Sequence, residues 1–425
     1  MWGMALLVAC VESDPVDPGA NHQTVEPPGT VTEPTSTDPT SSSADEALAR
    51  AIIDGTTAVE EGLGALAWSG GLPVETGAGT WIFLHTADQG PWSVAGDFGS
   101  WEPVAMAEGA SGIWWAEVEI PAPAGGFYKF TDGAEWIADP RARSYRYDDL
   151  GEISYVRPPA DDCRIDRWPG MFGQGLAPRD VRVVVPGGAG PFPVLYAHDG
   201  QNLFDPEAFW GGWRLQEALA TVDPMIVVGI DNTADRFDEY THVPDDVGYG
   251  PMGGNGDAYA AFVHDDVRPF VESTYGSSGL DGVLGSSLGG LISLHIAQHD
   301  PADWDFAASL SGTLGWGKFR AEERAMEELW LDQAAGFTHV YLDSGGSPGP
   351  DGQCRDQDGD GFPEDDPDSS DNYCETRQMA DALAAAGWTW DVDLVHWWEA
   401  DALHNELAWA ERVELPLAIF ASLDD

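Results

Sequence analysis

The chain has 425 residues, 43% of them hydrophobic, enough to bury a sizeable core in two or three domains. Against 19 lysines and arginines stand 73 acidic side chains, a formal charge of -54. Such a surface repels phosphate and anionic lipid, which argues against a nucleic-acid partner and leaves solubility, cation binding or a salty environment as uses of the charge.

The N-terminus reads "MWGMALLVACVESDP", and Leu7-Val8-Ala9-Cys10 looks like a bacterial lipobox. The expectation is a lipoprotein-type signal over residues 1–10, lipidation of Cys10, and an exported protein anchored at the cell envelope or periplasmic. The apolar run is short and lacks the usual positive leader. No run of about 20 apolar residues predicts a membrane-spanning helix. Residues 11–43 are rich in Pro, Thr, Ser and acids and read as a disordered acidic linker. Residues 44–75 show helical apolar spacing broken by glycines.

Residues 76–158 change character. "TWIFLHTA", "WSVAGDFGSW", "IWWAEVEIP", "GFYKFTDG" and "EISYVRP" are short, aromatic or β-branched, and punctuated by Gly, Pro and Asp. In "WWAEVEI", Trp114, Ala116, Val118 and Ile120 share one face, the pattern of a half-buried antiparallel strand. A small immunoglobulin-like β-sandwich is predicted. Through "VAGDFGSW" and "FYKFTDGAEWIADP" it resembles the early-set family of glycogen-binding modules. That resemblance implies glucan contacts at Trp101, Lys129 and Trp136. The preferred reading is that these aromatics are core and that the module only packs on its neighbour.

From Val181 onward, continuous apolar strands alternate with helical segments: "VRVVVP", "FPVLYAHDG", "MIVVGIDN", "GVLGSSLGG", "FAASLSG", "HVYLDSGG" and "TWDVDLVHW". This pattern predicts an α/β domain over residues 159–425, with a largely parallel sheet covered on both faces and its site at the carboxyl ends of the strands.

Two G-x-S-x-G matches occur. Gly285-Ser286-Ser287-Leu288-Gly289 lies between an apolar strand and a helix; Gly345-Gly346-Ser347-Pro348-Gly349 runs into an acidic loop. Only the first has the strand-turn-helix context that presents a serine hydroxyl, so Ser287 is the predicted nucleophile. Its base should follow in the chain. His295 and His299 share a helix face, His339 opens a strand and His396 lies in or after one, whereas His404 sits in a loop after the last strand, where the base belongs.

The motifs "VLYAHDGQNLFD", "GGWRLQEAL", "VVGIDNTADRFDEY", "GNGDAYAAFVHDDVRPFVESTYG", "GSSLGGLISL" and "HNELAWAERV" resemble the putative esterase family, which includes enterochelin and feruloyl esterases. The resemblance implies an α/β-hydrolase domain, ester hydrolysis through an acyl-serine, and no organic cofactor. The expected oxyanion donors are the backbone N–H groups of Leu288 and Gln201.

Relatives place the triad acid in a "G-x-x-D/E" slot, which counted from Gly345 holds Pro348 here. Asp343, at the end of "THVYLD", is ranked first as the acid, Asp351 second, and Asp371 or another acid of the insertion last. Residues 348–374 form that Asp-rich insertion. Cys354 and Cys374 flank its core and are expected to close it as a disulfide, leaving Cys163 free. Asp356, Asp358 and Asp360 before Gly361, with Glu364, suggest a structural calcium loop. The twelfth position holds Pro367, so it is not an EF-hand. The overall expectation is a serine esterase acting on a small siderophore ester or a feruloyl or acetyl ester of polysaccharide. The alternatives are an acyltransferase with a sugar acceptor and a non-catalytic surface lipoprotein binding glucan and calcium.

Overall fold

Eight segments become the strands β1 (Arg164–Met171), β2 (Arg179–Val185), β3 (Val194–His198), β4 (Ile226–Ile230), β5 (Asp281–Ser286), β6 (Phe306–Leu310), β7 (His339–Ser344) and β8 (Leu394–Trp398). Their spatial order is β8-β7-β6-β5-β3-β4-β2-β1. Strands β3 to β8 are parallel, and β2 and β1 join antiparallel at one side. This is an α/β-hydrolase fold. The computed structural model describes residues 40–424 apart from 77–78, 122–124, 333–337, 350, 357–358, 360 and 364. Cys10, the signal assigned to residues 1–10 and most of the linker therefore lie outside the described residues.

Successive side chains of a strand point to opposite faces, and both faces are covered here, so the strands read as unbroken apolar runs. Tyr196, Val228 and Val283 face helix Leu288–His299 in one core. Leu195, Val227 and Leu284 face Leu417 and Phe420 of the C-terminal helix in the other. Among the described residues no helix is long and apolar enough to cross a membrane.

Strand β1 has no counterpart among the predicted strands. Its "RIDRWPGM" carries charges and a proline, both poor strand signals. The structure accommodates them. Arg164 pairs with Asp166 at 3.0 Å and Arg167 with Glu152 at 3.0 Å, and Pro169 sits where the register slips against β2.

The N-terminal strands form two facing layers. Thr80–Thr86 and Ile113–Glu119 pair in a four-stranded sheet, opposite Ser93–Gly96, Gly126–Thr131 and Gly151–Val156. Phe83, Ala116, Tyr128 and Phe130 fill the space between. The outer face of the four-stranded sheet is not open to water along its length. Helices α1 (Thr40–Ile53) and α2 (Val59–Ala67) place Ile52, Leu63 and Leu66 on Ile82, Leu84 and Ile113, with Trp115 packed at the side. Trp136 is 47% exposed, so it is not the core residue expected, and its ring lies 6.1 Å from that of Trp101.

The second layer does not end at residue 158. Ser144–Asp148 pairs with β1 through Ile165 and Tyr145, so one 14-stranded sheet runs through both halves of the chain. Trp68 then docks the helical segment on the hydrolase side. It lies 5.4 Å from Trp168 and 5.6 Å from Phe270, and its indole N–H donates to the Pro169 carbonyl at 2.9 Å.

Cys354 and Cys374 are bridged, and Cys163 is free. The bridge spans 20 residues of sequence, a closure worth roughly 3 kcal/mol. Replacing both cysteines by serine should therefore shift the denaturant midpoint of unfolding downward, as should reductant on the native protein. A midpoint unmoved by either would show that the bridge adds no stability.

Candidate active site

The turn after β5 dictates its own sequence. Ser287 stands at φ 55° and ψ -123°, between the strand and helix α3 (Leu288–His299). A side chain at position 285 would put its Cβ 2.4 Å from the Gly289 carbonyl oxygen, and one at 290 would meet the Ser309 hydroxyl at 2.5 Å. Glycine is the residue that fits such approaches. Three backbone bonds fix the turn: Ser287 N–H to Leu310 O at 3.0 Å, and the Thr313 and Leu291 N–H groups to Ser287 O at 3.2 and 3.1 Å. Ser287 is 4% exposed, and its Oγ lies 3.5 Å from Thr313 Oγ1.

His404 lies in the loop between β8 and helix α4 (Glu406–Arg412). Its ring packs edge-on against Trp409 at 5.1 Å, and its backbone N–H donates to the Ser370 carbonyl at 3.1 Å. Its Nδ1 meets Asp371 Oδ1 at 2.7 Å. The other Asp371 oxygen accepts from the Ser311 hydroxyl at 2.5 Å and the Gly345 N–H at 2.7 Å, with Arg412 Nη2 at 3.8 Å. Burial alone would raise this carboxyl. The His404 ring beside it and the bonds from Ser311 and Gly345 hold it below the usual carboxylate range. Ser311 is itself fixed, because its oxygen accepts from Trp409 Nε1 and Arg412 Nη2, both at 3.0 Å.

This geometry corrects the ranking of the acid. Asp343 does not meet His404. It points into the protein, fully buried, with Oδ1 3.2 Å from Arg412 Nη2 and Oδ2 accepting from Tyr341 at 3.1 Å. Tyr341 and Asp343 are two apart on β7 and so share its face. Burial pushes the Asp343 carboxyl up to about 6 against the pull of Arg412. Asp351 is an exposed loop residue paired with Arg355. The acid slot is present but interrupted. A Cβ at Gly346 would lie 2.5 Å from the Asp371 carbonyl oxygen, so residues 347–369 leave and return at nearly one point. Passing over them, Gly345-Gly346-Ser370-Asp371 restores the G-x-x-D spacing.

The competing residues have other surroundings. Ser347 N–H donates to Ser369 Oγ at 2.9 Å, and among the described residues no helix begins directly after it. His295 Nε2 pairs with Asp257 at 2.8 Å, and burial lowers His396 to about 4.

Leu288 opens α3, where an N–H has no acceptor within the helix. Gln201 lies in the short 3-10 turn Gly200–Asn202 after β3, with its side-chain oxygen accepting the Asn232 N–H at 3.1 Å. Gln201, Ser287 and Trp409 line one cavity of about 250 Å³. Asp199 beside it would oppose a developing oxyanion, but Arg236 grips both its oxygens at 2.8 Å and Asn232 adds a bond at 2.6 Å. His198 is buried against Tyr259 at 3.0 Å and held down at about 3 by burial.

The expected calcium ligands are not assembled by what is described. Asp356 turns its two oxygens onto the N–H groups of Gly359 at 2.6 Å and Gly361 at 3.1 Å. Asp358, Asp360 and Glu364 lie outside the described residues. Among the described residues no group of three or more His, Cys, Asp or Glu could hold a metal ion.

The profile of the family described as "Putative esterase" matches residues 177–413, more than half of the chain. The chain belongs to this family. Across 173 residues it is 27% identical to the protein YbbA of Bacillus subtilis, covering 38% of this chain and 64% of that one. Across 141 residues it is 28% identical to the siderophore triacetylfusarinine C esterase of Aspergillus fumigatus, covering 30% of this chain and 47% of that one. The match thus spans less than two thirds of either relative. The enterobactin esterase of Shigella flexneri superposes with a TM-score of 0.43 at 16% identity, over 81% of this chain and 93% of that one.

In this esterase-family chain, Asp371→Asn should lower kcat by about four orders of magnitude with little change in melting temperature. Asp343→Asn should do the reverse. It leaves the buried Arg412 charge poorly compensated, at a cost of about 3 kcal/mol of stability. Steady-state kinetics and melting curves on both variants check this. An Asp343→Asn protein that is stable but inactive would return the role to Asp343.

Proposed function

We propose that this protein hydrolyses a carboxylic ester through an acyl-serine intermediate. The observation that carries the reading is the 2.7 Å bond between Asp371 and His404 at the end of the sheet where Ser287 stands on its elbow. In the scheme, Asp371 accepts the His404 Nδ1–H and so leaves Nε2 as the base. Ser287 Oγ attacks the ester carbonyl as its proton passes to His404. The N–H groups of Leu288 and Gln201 receive the negative charge on the carbonyl oxygen. Collapse expels the alcohol, which takes the proton from His404. Water, activated by the same imidazole, then releases the acid and restores Ser287. These steps call on no organic cofactor.

For substrate we propose a small ester of the siderophore class. Support comes from the siderophore esterase among the relatives and from a cavity of about 250 Å³. Export is part of the same proposal, supported by the Cys354–Cys374 bridge, since disulfides persist in oxidising compartments. Lipidation of Cys10 is checked by the mass of the N-terminal peptide. A structural calcium in the Asp-rich loop is a separate proposal. Chelator should then lower the melting temperature and calcium restore it, and an unmoved melting curve would reject the ion.

A fluorophosphonate probe should label the native protein, and Ser287→Ala should abolish both labelling and ester turnover while the fold survives. Labelling that persists in Ser287→Ala and disappears in Ser347→Ala would assign the chemistry to Ser347 and overturn this reading.

A further inference from the structure

Glu406 has no task in the hydrolytic scheme, yet it lines the same cavity as Ser287. It follows His404 by two residues, opens α4, and is only 5% exposed. Its carboxylate is bonded by its own backbone N–H and makes no hydrogen bond or ion pair with another side chain among the described residues. The neighbouring cavity acid is treated differently, since Asp199 is gripped by Arg236 and Asn232. An enclosed carboxylate held by a single backbone donor has acceptor capacity to spare, and a ligand that supplies a charged donor there offsets part of the cost of burial.

The cavity walls narrow the ligand's chemistry. Phe209, Trp213 and Trp409 line it together with Glu406. Aromatic side chains beside a carboxylate suit an ammonium group, which gains from any ring face it meets and from a charge-assisted hydrogen bond. A second anion would meet Glu406 and Asp199 with Arg236 already paired. The formal charge of -54 also favours the approach of cations over anions.

We propose that Glu406 is the specificity-determining carboxylate of this cavity and pairs with an ammonium group carried by the substrate beside its ester. This rests on the hydrolase reading for the word substrate, but the pairing is a property of the cavity and is measured without turnover. The charged groups acting on Glu406 give it a pH signature. Burial lifts its carboxyl to about 7; Asp199 raises it further, and His404 and Arg236 pull it down. Protonation removes the charge, so cation pairing is present above that value and is lost as pH falls through it. Cation binding favours the ionised form and so releases a proton.

The test compares para-(aminomethyl)benzamide with its neutral isostere para-ethylbenzamide by calorimetry on the native chain. The matching methyl benzoate esters are followed in parallel by hydrolysis. At about pH 8 the ammonium ligand should bind about tenfold more tightly than its isostere. The ratio should fall towards one at about pH 5.5, where the carboxyl is protonated, and in Glu406→Gln at either pH. The wild-type pH dependence keeps the test decisive should that variant fold poorly. Equal binding of the two amides at the higher pH, or a preference that survives in folded Glu406→Gln, overturns the proposal. A preference without turnover of either ester supports the pairing and counts against the hydrolase reading; turnover without a preference does the opposite.

Discussion

Much of the site depends on one buried carboxylate. Asp371 stays ionised away from water because each of its oxygens has a donor: His404 on one side, Ser311 and Gly345 on the other. Each donor comes from a different part of the sheet. Gly345 follows β7, Ser311 follows β6, and His404 follows β8. The Asp343–Arg412 pair lies beneath them and also reaches Ser311. A polar network this enclosed is worth keeping only when nearly every member is satisfied. Loss of one member strands the rest, which couples Arg412 and Trp409 of α4 to a histidine that lies outside that helix.

The second constraint is steric. A serine held at positive φ with a helix closing directly behind it leaves no room for a Cβ at positions 285 and 290. The glycines around Ser287 are therefore consequences of the turn, which is why they mark the site in a chain with 51 glycines. The glycines of the second G-x-S-x-G are crowded too, with a Cβ at Gly345 2.2 Å from the Ala402 carbonyl oxygen. What the second match lacks is the elbow, since among the described residues no helix begins directly behind Ser347.

The difference between Ser287 and Asp371 shows what could be read in advance. Ser287 and His404 sit beside elements with strong apolar patterns, so their places relative to strand ends follow from the chain itself. Asp371 is separated from its slot by residues 347–369, and counting along the sequence fails across such a detour. The cysteines held the missing signal. A bridge from Cys354 to Cys374 closes most of the detour into a loop, and Asp371 lies three residues before the second cysteine. Asp343 looked better placed because strand direction was legible and side-chain orientation was not. Strand β1 was hidden by its charges, which find partners only in the folded sheet. Glu406 and Arg412 were visible as letters, but their burial is a tertiary property that no local pattern carries.

The central relation, that Asp371 acts only through His404, is tested most directly by a double-mutant cycle. His404→Ala, Asp371→Asn and the combined variant are compared by kcat on one ester, with melting temperature as a check on folding. Residues that work as a unit lose activity non-additively. The combined variant should be no slower than His404→Ala alone. A combined loss equal to the product of the two single losses would mean that Asp371 and His404 act independently, and the proposed triad would be wrong.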